Sequence, residues 1–182
     1  MLLGRMIARS IWPERKERGM VILTTICSEF PDIDVFFSNG NPLQHLQIHR
    51  GLTHSILGAS LLALLLAGVT KRWFLKERRF STLYLASLGG LGIHIFFDLV
   101  TSYGTMLFYP FSKARLSFDT VFIVDPYIWL ILLLPLLLRW RRGALFAHRN
   151  LIATIILALY LSLGFLNHGV AMHRLQRWTT AQ

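Results

Sequence analysis

The chain has 182 residues, of which 54% are hydrophobic and only 15% charged, against about 25% charged in an average soluble domain. With a mean hydropathy of +0.51, this composition argues against a water-soluble domain and excludes a disordered chain. The formal charge of +10 would indicate nucleic acid only if the basic residues formed one patch, and they do not.

Along Met1–Trp12, Leu3, Ile7 and Ile11 recur at helical spacing with Arg5 and Arg9 on another face, which predicts an N-terminal amphipathic helix. Pro13 and the charged run Glu14–Arg18 follow, then the short apolar segment Met20–Phe30, which ends in Pro31-Asp32-Ile33-Asp34. The segment lacks a small-residue cleavage pattern and fits a signal peptide poorly. Gly51–Thr70, Phe80–Phe97 and Leu151–His173 run 20, 18 and 23 residues without a formal charge, and about 20 apolar residues cross a bilayer. Val121–Leu138 is apolar apart from Asp125, and its Pro135 is tolerable in a membrane helix. The lone Cys27 leaves no intrachain disulfide to form.

The fold expected is therefore all-α: a polytopic membrane helical bundle of four to five spanning segments plus the amphipathic helix. Residues 1–182 form a single membrane-embedded domain in this reading. If Met20–Phe30 crosses, fourteen of the nineteen Lys and Arg fall on one side, including those of the N-terminus. By the positive-inside rule that side is cytoplasmic. Residues 31–52 and 102–120 then face outward. The positive charge is topological, and the bilayer rather than nucleic acid is the expected partner.

All five aspartates, Asp32, Asp34, Asp98, Asp119 and Asp125, fall in or beside the two outward intervals, together with His45, His49, His54 and His94. His94 and Asp98 are four apart and share one helix face. His94 is seven residues in from Thr101, roughly 10 Å deep at 1.5 Å per residue. An Asp at the centre of a membrane helix costs about 2.5–3.5 kcal/mol, less toward the end, so something should offset it. A divalent cation would do so, zinc first, with manganese or magnesium as alternatives; a structural hydrogen bond between helices or a hydrated pair would do so too. His49 and His54 flank Gly51, which permits a turn that aims both at one ion, with Thr53 and Ser55 as supporting or capping groups. Asp32 and Asp34 project to the same side if the segment is extended, or form a capping turn. Gly104 suggests a turn beside Asp98. Arg50, Lys113 and Arg115 are the basic residues available to an anionic substrate, although Lys113 and Arg115 equally suit lipid headgroups. His148, His168 and His173 match no constellation, and the five Trp read mostly as interfacial anchors.

The ordered set Pro31-Asp32-Ile33-Asp34, His49-Arg50-Gly51-Leu52-Thr53-His54-Ser55, His94-x-x-x-Asp98, Thr101-Ser102-Tyr103-Gly104-Thr105, Pro110-Phe111-Ser112 and Asp125-Pro126 resembles the YdjM-type membrane-bound metal-dependent hydrolases of bacteria. The likeness covers residues 1–128, leaving 129–182 as C-terminal helices. It implies Asp32, Asp34, His49, His54, His94 and Asp98 as metal ligands and hydrolysis at the inner membrane. Members usually carry a Thr-His or similar pair a few residues before a Gly on the first helix, whereas this chain opens Met1-Leu2-Leu3-Gly4; the expectation drawn from that departure is either an upstream codon that supplies the His or a protein that lacks this ligand. The function expected is an integral inner-membrane metal-dependent hydrolase with its site toward the outer face, its N-terminus cytoplasmic, and a phosphoester or other amphiphilic ester as substrate. Asp34 or Asp119 is the candidate general base. The alternative is a non-catalytic membrane protein that binds or conducts a cation.

Overall fold

The computed structural model describes residues 2–37, 50–122, 124–138 and 148–180. Among them the regular elements are all helices, with an irregular stretch over residues 101–122 that holds one isolated antiparallel bridge between Thr105 and Leu116. The α-helices are α1 (Leu2–Ile11), α2 (Arg18–Cys27), α3 (Ile56–Trp73), α4 (Phe80–Val100), α5 (Pro126–Leu137) and α6 (Arg149–Thr180). Three of these, α3, α4 and α6, are long and apolar enough to cross a membrane.

The segment expected to span over Val121–Leu138 yields a shorter helix. Asp125 accepts from the backbone N–H groups of Tyr127 and Ile128 at 2.8 and 3.2 Å and so caps α5, with Pro126 as its first residue. The resulting 12 residues extend about 18 Å, short of the hydrocarbon thickness of about 30 Å. Ten-residue α2 is shorter still, because Ser28 and Pro31 lead the chain out of it.

What α2 lacks in length it recovers in closeness to α4. A Cβ added at Gly90 would lie 2.6 Å from the carbonyl oxygen of Thr24 and 2.7 Å from Cys27 Cβ, so glycine is what lets the two backbones approach, as small residues do between membrane helices. On α3, Ala59, Ala63 and Ala67 repeat every four residues and make one buried stripe, which meets Leu83, Leu91 and Ile95 of α4 in the main core. A second core joins Met6 of α1 to Val100, Val121 and the α6 stripe Ala153, Leu157 and Leu161. Beyond Gly164, which abuts Thr120, no described α6 residue is buried.

The connections sort the bundle into two ends. The 3-10 helix Phe30–Phe37 that follows α2, the 3-10 helix Leu52–His54 that precedes α3, and the last turn of α4 all lie at one end. At the opposite end Arg78 pairs with Glu17 at 2.9 Å, and the Lys71 ammonium donates to the carbonyls of Lys76 and Arg78. Helix α1 runs back along α2: Gly4 is buried against Ser28, where an added Cβ would come within 1.9 Å of Oγ, and Ser10 meets Thr154 near the start of α6 at 2.9 Å. This corrects the placement of the whole N-terminus with the basic end. Only the far end of α1 and the Arg15–Arg18 turn reach it, because the amphipathic helix buries its small residues alongside α2 instead of lying apart.

Candidate metal centre

The end of the bundle that carries Ser28, Asp32, His54 and Asp98 assembles a polar centre from the bottom of each element. His54 is fully buried, held by a 3-10 turn whose backbone N–H bonds to the carbonyl of Gly51. Ser55 then caps α3 by accepting from Gly58 N–H at 3.0 Å. The turn that Gly51 was expected to permit begins one residue earlier, where Arg50 has φ 62°, a strained conformation for a bulky side chain. The strain is locked in by two backbone bonds, Arg50 N–H to Asp34 Oδ2 at 3.1 Å and Met106 N–H to the Arg50 carbonyl at 3.0 Å.

Asp32 and Asp34 do not lie on one side of an extended strand. The 3-10 helix Phe30–Phe37 turns about 120° per residue, so residues two apart point in different directions and reach His54 from two edges. Asp34 is buried and meets the Nδ1 edge, at 3.3 Å, while accepting from Thr53 Oγ1 at 2.9 Å. Asp32, half exposed, meets the Nε2 edge at 3.6 Å. His94 presents its Nε2 to the same point, 3.3 Å from His54 Nε2 and 3.2 Å from Asp32 Oδ1. Asp98 Oδ2 completes the group, 3.2 Å from His54 Nε2 and 3.6 Å from His94 Nε2.

The chemistry of these four atoms fits a cation. The Nδ1 of His94 lies 2.8 Å from the Ser28 carbonyl, which can only accept, so Nδ1 carries the proton and a neutral ring has its lone pair at Nε2. Asp34 fixes the same tautomer for His54. The two imidazole lone pairs therefore face each other across 3.3 Å, and only a proton or a cation between them removes the repulsion. Among the described residues Asp98 Oδ2 is buried with no partner besides these two ring nitrogens, a state that unmet polar atoms rarely keep when the nitrogens bear no proton. Zinc ligands at 2.0–2.1 Å in a tetrahedron would stand about 3.3–3.4 Å apart, and the five separations here that involve a ring Nε2 run from 3.2 to 3.6 Å. Asp32, His54 and His94 can hold a metal ion. Asp34 and the Ser28 carbonyl stand where the outer partners that orient metal-ligating histidines would stand.

Electrostatics agree. Burial pushes the Asp32 carboxyl up, but its hydrogen bonds to His54 and His94 outweigh this and hold it well below the usual carboxylate range. For His54, which lies just outside α3, burial works against the charged ring, yet the hydrogen bonds it donates to the Asp32, Asp34 and Asp98 carboxylates raise its pKa from 6.5 to about 10. The centre is an attractor for positive charge.

The remaining expected site residues distribute as follows. His49 lies outside the described residues. Asp34 is committed to His54 Nδ1, so it orients that ring instead of facing the Nε2 atoms. Asp119 is exposed in a left-handed turn, φ 48°, apart from the cluster, and so neither expected general base stands at the centre. Lys113 is exposed, and Arg115 donates to the Gly104 carbonyl at 3.2 Å. Gly104 makes the expected turn, with φ 75°. Asp125 caps α5 and accepts from the Tyr160 hydroxyl at 2.6 Å. Arg50 is buried and donates from Nη2 to Asp98 Oδ1 at 3.0 Å, with its guanidinium over the Tyr103 ring at 5.2 Å. Sequence reasoning missed that pairing, although a charged residue inside a membrane helix calls for a partner, and Arg50 is the one basic residue in the motif preceding α3. It also missed Ser28, which acts through its carbonyl and leaves no side-chain signature.

Apolar spanning helices and a His/Asp cluster at one end define a membrane protein equipped to associate with a metal. The chain belongs to the YdjM inner membrane protein family, which it matches over residues 1–171, well into α6 and beyond the extent expected from the motifs. It is also similar to the uncharacterized protein YfhP of Bacillus subtilis (strain 168), at 29% identity over 112 residues, 62% of this chain and 34% of that protein. The aligned region thus covers about a third of that relative's length. No solved structure matches the chain.

Proposed function

We propose that this protein is an integral inner-membrane metal-dependent hydrolase whose ion is held by Asp32, His54, His94 and Asp98. One observation carries the reading: two histidine Nε2 atoms 3.3 Å apart each lie 3.2–3.6 Å from both of two carboxylate oxygens, the four drawn from three separate elements, and one of those oxygens has no other partner among the described residues. A divalent ion, zinc first and manganese or magnesium as alternatives, would supply Lewis acidity toward the scissile bond and make water nucleophilic at neutral pH. The chain's own residues do the positioning. Asp34 keeps the His54 proton on Nδ1, the Ser28 carbonyl does the same for His94, and Arg50 fixes the rotamer of Asp98. Asp32 is the most open of the four, and water reaches the centre past it.

In this reading residues 1–182 form one membrane-embedded domain with four or five crossings, the shorter helices α2 and α5 being completed by adjoining residues. The basic end of the bundle faces the cytoplasm, which places the centre, and with it the start of α1, toward the outer face. Phe108, Phe111 and Phe118 expose their rings at the centre's end, as expected where a protein meets the membrane interface, and this supports an amphiphilic ester as substrate. The test is purified protein loaded with zinc or manganese and offered a panel of phospho- and acyl-ester lipids. Turnover that disappears in His54→Ala supports the reading. Tight metal binding with no hydrolysis of any member would favour a protein that binds or conducts a cation.

A further inference from the structure

Arg50 carries a donor that the fold leaves unused. Its side chain is only 10% exposed, Nη2 is spent on Asp98, the face of the guanidinium lies over Tyr103, and Nη1 is buried with no acceptor among the described residues. A buried guanidinium N–H without a partner is costly, and the strained backbone at φ 62° shows that the chain accepts a second cost to hold this residue in place. Asp98 joins the two features, since Oδ1 takes Arg50 and Oδ2 faces His54 and His94. When Asp98 shares its charge with a cation, Arg50 is left only partly neutralised, beside that cation and with a nitrogen to donate. A planar, permanently charged fork of this kind matches the oxygens of a phosphoryl group. The neutral carbonyl of an acyl ester would not need it.

We infer that Arg50 Nη1 and the Asp32/His54/His94/Asp98 centre together bind one phosphoryl group, so that the substrate class is a phosphoester. This rests on the hydrolase reading above and narrows its substrate. In the corresponding reaction water adds to phosphorus, the ester P–O bond breaks, and the proton given up by water leaves on the alcohol. The phosphoryl group can belong to a lipid headgroup or to a soluble phosphoester, since the chemistry recognised is the same.

The test measures binding by calorimetry on manganese-loaded protein in detergent, with metal content determined in parallel. Inorganic phosphate should bind saturably to the wild type and at least tenfold more weakly to Arg50→Lys, which keeps the charge but not the planar fork, while Lys16→Gln at the opposite end changes affinity less than twofold. Should Arg50→Lys fail to fold, the wild type still decides, because phosphate should bind at least tenfold more tightly than acetate. Dihexanoyl phosphatidic acid forms a second arm: binding tenfold tighter than phosphate assigns the source to lipid, and equal binding assigns it to a soluble phosphoester. Unchanged phosphate affinity in Arg50→Lys, or no preference over acetate, overturns the phosphoryl assignment while leaving the hydrolase reading standing. A wild type that retains no manganese at all defeats the hydrolase reading itself.

Discussion

Asp98 divides its two oxygens between different tasks: Oδ1 accepts from Arg50 Nη2 at 3.0 Å, while Oδ2 lies 3.2 Å from His54 Nε2 with no partner beyond the histidine rings among the described residues. Removing the carboxylate therefore strips a cation of one ligand and leaves a buried guanidinium unpaired. Asp98→Ala should lose bound metal stoichiometry on purification and lose stability as well, since breaking a buried pair by removing one partner costs about 3–5 kcal/mol. Elemental analysis with a thermal melt reads both. Wild-type metal content in Asp98→Ala would remove Asp98 from the centre.

Asp34 acts one step further out. Because it touches His54 at Nδ1 and not at Nε2, Asp34→Asn should keep the fold and the metal but weaken affinity by roughly 10–100-fold, as loss of an orienting partner does. Competition with a zinc-binding dye measures it. A complete loss of metal, equal to that of His54→Ala, would instead make Asp34 a direct ligand.

Proton and metal should compete openly. His54 has its pKa raised from 6.5 to about 10, so the metal-free folded protein holds that proton throughout the neutral range. The stability it contributes is fully present below about pH 6.5 and is lost as pH rises through about 10. Metal binding in between must expel the proton, and affinity should then climb about tenfold per pH unit for a single proton released. Calorimetry in buffers of different ionisation enthalpy counts the protons, and release of none at pH 7.5 would contradict the assignment.

The approach of α2 to α4 is the packing feature on which the position of His94 depends. Gly90→Val would drive a side chain into the Thr24 carbonyl, 2.6 Å from the added Cβ. Overpacking of this kind destabilises by about 1–3 kcal/mol, and the displaced α4 should carry His94 away from the Ser28 carbonyl, so metal affinity should fall with stability. Gly92→Ala, where an added Cβ meets nothing within 4 Å, should change neither.

The long apolar runs were readable from the sequence because membrane solvation is a property of composition: α3, α4 and α6 fall within or beside the predicted segments. The i,i+4 pair His94/Asp98 and the chemistry of His54 were likewise readable, since helical period and burial cost are local. What escaped was set by tertiary contact. The 3-10 winding of Phe30–Phe37 divides Asp32 from Asp34, and nothing in a Pro-Asp-Ile-Asp string distinguishes that from an extended segment. The direction of α1 depends on Gly4 finding Ser28, twenty-four positions away, and positive charge at Arg5 and Arg9 pointed the other way. The charge and position of Arg50 suggest a substrate contact, whereas its tie to Asp98 depends on a fold that brings residues 48 positions apart within 3.0 Å.

X-ray absorption spectroscopy on the zinc-loaded protein interrogates the metal centre itself. The geometry described here predicts one tightly bound ion per chain with two imidazole nitrogens and carboxylate oxygens around it, and the imidazole scattering should vanish in His54→Ala/His94→Ala. An ion coordinated by oxygen alone, or retained undiminished by that double variant, would show that these side chains meet for some reason other than to hold a metal.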